Sequence, residues 1–208
     1  MPSNKSRPQA RSAALAPRRN NGRLRVAALL DAGAAVVAER GLSATTMSEI
    51  AARAGAPIGS LYRFFPNKEI LADALLQRYV AMVDEAFARL QGRLPSLSTM
   101  ALANELLEII PDFYREKLTI KALLESDPTG SKKRDEFRNG MRRHIAATLT
   151  LRRPGLDPAL AKHMAIVLIQ NIKVAGFLKK EFQGEALAGG LAELQAMTGH
   201  YLAAKLGG

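Results

Sequence analysis

Residues 45–65 read "TTMSEIAARAGAPIGSLYRFF", in which two short helical segments lie on either side of a turn. Thr46 is followed three residues later by Glu49, which is the spacing of a capping box at the start of a helix. Gly55 suits the left-handed conformation that ends a helix, and Pro57 suits the first turn of the next one. Two short helices joined by a glycine-containing turn predict a helix-turn-helix.

The apolar residues of this stretch predict a small shared core. Ile50 and Leu61 are expected to face each other across the turn, and Ala51 is small where the two helices must approach. A domain of about 45 residues has little core volume, and bulky rings supply it. Phe64 and Phe65 are therefore predicted to close this core.

The opposite side of the second helix is predicted to meet DNA. Small residues at its start allow a close approach to the major groove, where Arg63 can reach a base edge or a phosphate. Tyr62 and Lys68 can contact phosphate oxygens. Taken singly, each of these residues could equally be solvated surface. The predicted DNA-contacting residues are Thr45, Thr46, Ile58, Gly59, Ser60, Tyr62, Arg63 and Lys68.

Two runs with fixed mutual spacing carry a family resemblance, "GLSATTMSEIAARAG" at 41–55 and "GSLYRFFPNKEIL" at 59–71. Together with their surroundings, residues 23–76, they resemble the DNA-binding domain of the tetracycline-repressor (TetR) family. The resemblance implies an all-α homodimer with three N-terminal helices on double-stranded DNA. It also implies a transcriptional regulator, usually a repressor released by a small molecule. Pro57 and Ile58 depart from the family pattern, in which a Ser or Thr and then a polar residue are common.

Charge and helical periodicity divide the chain. Residues 1–22 hold five Lys or Arg and three Pro, which predicts a flexible basic arm that is either a solvated tail or a phosphate contact. Residues 23–70 form the predicted DNA-binding domain, and residues 71–208 form a predicted effector-binding and dimerisation domain. The net charge of +11 favours a polyanionic partner. After Gly92, helices are predicted near 98–115, 117–125, 131–150, 158–180 and 185–206.

Aromatic and methionine side chains in the second domain predict an adaptable apolar lining for a small, mainly apolar effector. Plain core is the alternative. Asn171 interrupts an apolar stripe, so it either contacts the effector or is hydrogen-bonded inside the core. The predicted effector-binding residues are Phe113, Tyr114, Phe137, Met141, Met164, Asn171 and Phe177.

The segment 160–178 is apolar on two faces, which predicts burial against its own core on one side and a partner subunit on the other. A twofold dimer in turn predicts a near-palindromic operator. The predicted interface residues are Ala165, Ile169, Ile172, Gly176, Leu194 and Tyr201.

Other classes of function find little support. The chain has no Cys, its three His are scattered, and neither a phosphate loop nor a nucleophile elbow occurs. We therefore predict no catalytic residues, no metal site and no cofactor. The longest apolar run, 164–169, is too short to span a bilayer, and no secretory signal is recognisable, so we expect a cytoplasmic protein that does not bind membranes. The basic run "SKKRDEFRNGMRRH" at 131–144 is either a solvated face or a contact for DNA or an anionic ligand.

Overall fold

The computed structural model of the protein describes residues 20–109 and 130–207, together with Thr119 and Leu123. These residues are helical apart from short connections, and no strand occurs among them. The prediction of an all-α fold is therefore confirmed. The described residues fall into two compact units, of which one ends at Gln77 and the other begins at Arg78.

The first unit contains three helices and the beginning of a fourth. They are α1 Asn20–Ala44, α2 Met47–Arg53, α3 Ile58–Phe64 and α4 Lys68–Arg93. Because α1 begins at Asn20, the predicted basic arm is too long by three residues, and residues 1–19 of it lie outside the described residues. Gly41 interrupts α1 with a non-helical φ of 76° and ψ of 161°.

Side-chain and backbone hydrogen bonds delimit α2. The Thr46 hydroxyl accepts from the Glu49 N–H at 3.2 Å, and the Glu49 carboxylate accepts from the Thr46 N–H at 3.2 Å, which confirms the predicted capping box. At the other end Gly55 has a φ of 60°. The N–H of Ala56 donates to the Ala51 carbonyl at 3.0 Å, and the Gly55 N–H donates to Ala52. This pair of bonds is a Schellman motif, which satisfies carbonyls that a helix end leaves free.

The core of the first unit follows the predicted pattern. Ile50 and Leu61 are fully buried, and Phe64 and Phe65 are 6% and 2% exposed. Helix α4 is capped as well, since the Asn67 side chain accepts from the Ile70 N–H at 2.8 Å. Burial of two rings in so small a unit supplies much of its apolar contact area.

Within the described residues, the second unit contains the rest of α4, a 3-10 turn and four further helices. They are Leu94–Ser96, α5 Thr99–Glu108, α6 Gly130–Arg152, α7 Pro158–Glu181 and α8 Gly184–Leu206. The last three agree with the predicted helices to within two residues. The predicted helix 98–115 is confirmed up to Glu108, and its remainder and most of the predicted helix 117–125 lie outside the described residues. None of the described helices combines the length and apolarity needed to cross a bilayer.

Helix α6 runs parallel to α4. The contacts between them join residues that lie 57 to 60 positions apart in the chain. Residues further along α4 contact residues further along α6, as two parallel helices require. The contacting pairs are Tyr79 with Phe137, Asp84 with His144, Gln91 with Thr148, and the Leu94 carbonyl with Arg152. The His144 ring also stacks on Phe87 at a centroid distance of 4.9 Å. This constant offset fixes the register of the two helices.

Replacing Thr46 with Ala should lower the free energy of unfolding by about 1 kcal/mol, because it removes the side-chain acceptor at the start of α2. Denaturant unfolding of the full chain measures the difference. Ser48→Ala is the matched control, since Ser48 is exposed in the same helix and makes no capping bond. An equal loss in both variants would contradict the capping role of Thr46.

Candidate nucleic-acid interface

Helix α3 turns its small, polar and aromatic residues away from the core. Leu61 and Phe64 are buried, whereas Ile58 and Tyr62 are 41% and 49% exposed. Gly59 and Arg63 are also exposed, and Ser60 is half-buried. The structure therefore brings five of the predicted DNA-contacting residues onto one short helix.

Arg63 carries a positive charge that no described carboxylate neutralises. Its guanidinium lies 5.8 Å from the centroid of the Phe64 ring, which holds the side chain beside the core without pairing it. Arg40 and Arg53 differ, because both are engaged in ion pairs with carboxylates of the same unit. Arg63 can therefore offer its donors to an external anion or base.

The remaining three candidates make contacts within the unit. Thr45 is only 2% exposed, and its hydroxyl donates to the Gly41 carbonyl at 2.7 Å. This corrects the prediction for Thr45, because its side chain supports the end of α1 and does not reach the surface. Thr46 is exposed but uses its hydroxyl in the capping box, and Lys68 donates from Nζ to the Ser43 carbonyl at 3.1 Å.

An electrostatic network, which the sequence pattern did not reveal, joins α1 to α2. Arg40 pairs with Glu49 at 2.5 Å, and Arg53 pairs with Glu39 at 2.6 Å. The Thr46 hydroxyl and N–H, with Arg40 adding to them, hold the pKa of the Glu49 carboxyl below its ordinary value. The hydrogen bond from Arg53 does the same to the pKa of Glu39. The partners lie on different helices at sequence separations that no helical pattern encodes.

The predicted effector-binding residues do not form one group. Phe137 is half-buried and its ring lies 5.3 Å from that of Tyr79, while Met141 and Met164 are buried. Phe177 is 55% exposed, so it does not join them in the core, and its role stays a prediction. Phe113 and Tyr114 lie outside the described residues.

Asn171 belongs to the contact between the last two helices. Its Nδ2 donates to the hydroxyl of Thr198 at 3.1 Å, and that hydroxyl donates to the Leu194 carbonyl at 2.7 Å. Of the two interpretations of Asn171, the hydrogen-bonded core residue accounts for this geometry without a ligand. Among the described residues, no three Asp, Glu or His side chains come together as a metal site would require.

Four of the six predicted interface residues are buried within their own unit. Ala165, Ile169 and Ile172 are at most 4% exposed, and Leu194 of α8 is 6% exposed, so all four belong to the core of their own unit. Gly176 and Tyr201 are half-buried. The outward face of α7 is instead formed by other apolar residues, which are between 43% and 55% exposed. They are Ile166, Val167, Val174 and Phe177.

Comparisons with known proteins agree with this architecture. Residues 29–75 match the family of bacterial regulatory proteins called the tetR family. Over 149 residues the chain is 30% identical to the HTH-type transcriptional repressor KstR of Rhodococcus jostii RHA1, and the match covers 69% of each protein. The chain belongs to the tetR family.

Sequence identity to other regulators is high over a short part of the chain and lower over most of its length. The chain is 49% identical over 61 residues to the transcriptional repressor KstR2 of Mycobacterium tuberculosis H37Rv, but it spans only 29% of that relative's length. A crystal structure of the regulator FadR from Bacillus subtilis in complex with stearoyl-CoA has a TM-score of 0.58 at 18% identity, with 85% of this chain and 96% of that chain covered. The predicted family is thus confirmed, and with it a DNA-binding transcriptional regulator built on a helix-turn-helix.

Acidification should destabilise the first unit through Glu39 and Glu49. Their pKa values in the folded protein lie below the ordinary value of 4.5, so their contribution is complete above that pH and is lost as the pH falls through the folded values. We expect the free energy of unfolding to fall less steeply in acid for the double variant Glu39→Gln, Glu49→Gln than for the unaltered chain. Identical slopes, measured by denaturant titration from neutral pH downward, would contradict the ion-pair network.

Proposed function

We propose that the protein is a homodimeric transcriptional repressor that binds a near-palindromic operator and leaves it when a small, mainly apolar effector binds. It acts in the cytoplasm, where such an operator is accessible. The observation that carries the proposal is the packing of α2 against α3, which buries Ile50 and Leu61 and leaves Gly59, Tyr62 and Arg63 facing outward. KstR and KstR2, to which the chain is similar, are transcriptional repressors.

Helix α3 suits the role of recognition helix for steric reasons. Gly59 is exposed, and the space around the position of a Cβ there is open, so the backbone can approach the floor of the major groove. Ile58 places an exposed apolar side chain at the start of the helix, where it can contact a thymine methyl group. Arg63 in the last turn can donate two hydrogen bonds to a guanine.

The contacts that position α3 are expected at its edges. The Tyr62 hydroxyl and the Lys68 ammonium are suited to phosphate oxygens, and Lys68 can keep its bond to the Ser43 carbonyl while its other two donors remain available. The N-terminal end of α2, which begins after Thr46, can contact a further phosphate. Such contacts carry no sequence information by themselves, and they make binding depend on salt concentration.

Replacing Arg63 with Ala should weaken binding to the preferred sequence by about 1–3 kcal/mol and relax the preference at one position of each half-site. The preferred sequence comes from in vitro selection with the full chain on random duplex DNA, and a binding titration then compares the variants. Arg89→Ala is the matched control, because Arg89 is an exposed arginine of the second unit.

Two outcomes would count against the assignment. Failure of the unaltered chain to select any duplex sequence would contradict the proposed function. Equal loss of affinity in Arg63→Ala and Arg89→Ala would assign Arg63 a general electrostatic contribution without base recognition.

The dimer is proposed to form through the outward faces of α7 and α8. Together these faces expose a group of apolar side chains that is unusual for a surface in contact with water. Small residues of α8 beside them would let a second copy pack closely. The exposed residues are Ile166, Val167, Val174 and Phe177 on α7, and Ala186, Gly189, Met197 and Ala204 on α8.

The double variant Val174→Glu, Phe177→Glu should be monomeric, because it places two charges where an apolar contact is proposed. Light scattering coupled to size exclusion gives the mass, and circular dichroism checks that the fold is kept. Val80→Glu is the control, since Val80 is an apolar residue of α4 that is 39% exposed. A double variant that keeps the mass of a dimer would place the interface elsewhere.

The effector is proposed to lie beside the inward-facing residues of α6 and α7. Among the described residues, Phe137, Met141 and Met164 are candidate lining residues that lie at least partly inside this unit, and Phe113 and Tyr114 stay predicted. Release from DNA requires the effector to bind more tightly to the conformer with low DNA affinity, and the coupling is reciprocal. Stearoyl-CoA, found in the FadR structure, illustrates an effector with a long apolar part.

A further inference from the structure

Among the described residues, two half-buried side chains each contain a buried polar atom that has no hydrogen-bond partner. The atoms are Oδ1 of Asn104 on α5 and Nε of Arg142 on α6. A buried donor without a partner reduces stability, and the reduction is larger for a charged group than for a neutral one. Arg142 is therefore the more costly of the two, and its retention in the fold calls for a physical reason.

The guanidinium of Arg142 is held in place but is not neutralised. Its Nη1 donates to Oδ1 of Asn139 at 2.9 Å, and no described carboxylate pairs with it. Other half-buried cations of the second unit are satisfied: Arg152 donates to the Leu94 carbonyl at 3.1 Å, and Lys179 pairs with Glu108. Arg142 thus differs from these residues in having both a positive charge and an unused buried donor.

Arg142 lies beside apolar side chains of its own helix. Met141 precedes it and is 2% exposed, and Ile145, one turn later, is fully buried. An arginine that is half-buried next to such a surface can bind the charged end of a molecule whose remainder is apolar.

We propose that Arg142 binds the anionic head group, a carboxylate or a phosphate, of the effector. The planar guanidinium fork donates from Nε and one terminal nitrogen to two oxygens of such a group, which would satisfy the orphaned Nε. Asn139 would hold the other terminal nitrogen and fix the orientation of the fork. This inference rests on the proposed function, because it specifies the chemistry of the effector proposed there.

Two other described basic side chains of α6 differ from Arg142 in their burial. Arg138 and Arg143 are exposed to solvent, whereas Arg142 is half-buried. An exposed arginine can bind a phosphate of DNA as well as an anionic ligand. The buried Nε of Arg142, in contrast, needs an acceptor that reaches below the surface. Of the two interpretations of the basic run at 131–144, contact with an anionic ligand is therefore favoured for this one residue.

The test compares three probes that share one apolar chain and differ in the head group: dodecanoate, dodecyl phosphate and 1-dodecanol, all below their aggregation concentrations. Titration calorimetry with the full-length protein should give tighter binding of at least one anion than of the alcohol. In Arg142→Gln that anion should bind about tenfold more weakly or worse, because a charge-assisted pair is lost. Arg138→Gln, which removes the same charge four residues earlier on α6, should change the affinity by less than about twofold.

Several outcomes would overturn the assignment. They are binding of the alcohol as tight as that of the anions, unchanged anion affinity in Arg142→Gln, and the absence of measurable binding of either anion. A preference for dodecanoate over dodecyl phosphate, or the reverse, identifies which head group the site takes.

A second measurement needs no ligand. Arg142→Met removes the orphaned donor and keeps most of the side-chain volume, so the melting temperature of the ligand-free protein should stay the same or rise. A clear decrease would assign Arg142 a structural role and overturn the inference. Titration of each variant with the selected DNA distinguishes failure of the proposed function from failure of this inference. If the unaltered chain binds no DNA, the proposed function fails. Anion binding that survives in Arg142→Gln contradicts only the role of Arg142.

Discussion

The left-handed backbone of Gly55 is the constraint on which the first unit depends. With a φ of 60° it lets α2 end in a Schellman motif and reverses the chain within a few residues. Only after this reversal can Ile50 and Leu61 be buried on the same side. The face that carries Tyr62 is then outward by default, because a seven-residue helix that buries one side must expose the other. DNA recognition is thus proposed for a surface whose direction is set by packing and turn geometry.

Several charged residues of the first unit pair with one another, whereas Arg63 is available to an external partner. Glu49 serves twice, since the same carboxylate closes the cap of α2 and pairs with Arg40 of α1. Arg53 is likewise bound to Glu39. These pairs are exposed and individually weak, but they join the helix before the motif to the motif itself. Arg63 has no such partner among the described residues, so its positive charge remains available on the outward side of α3.

The sequence predicted the local geometry well because short-range chemistry encodes it. Caps, turn glycines and helix breaks depend on residues three or four positions apart, and the predicted capping box of Thr46 is confirmed in the structure. The side of α7 that packs inside its own unit was not predictable in this way. Ile169 and Phe177 are both apolar residues of that helix, and periodicity cannot tell which of two apolar stripes meets the core. The burial of Thr45 was not predicted either; its hydroxyl donates to the Gly41 carbonyl four residues earlier, near the end of α1.

The parallel arrangement of α4 and α6 has a consequence for synthesis on the ribosome. The partners of Tyr79, Phe87 and Gln91 on α6 lie 57 or 58 residues later in the chain, so these contacts cannot form until α6 has been made. At roughly 5–20 residues per second, this delay lasts on the order of 3–12 seconds. The first unit makes its contacts within the first 77 residues and can complete its core during that interval. The nascent chain is therefore expected to carry a finished helix-turn-helix, followed by a helix with exposed rings that chaperones can bind.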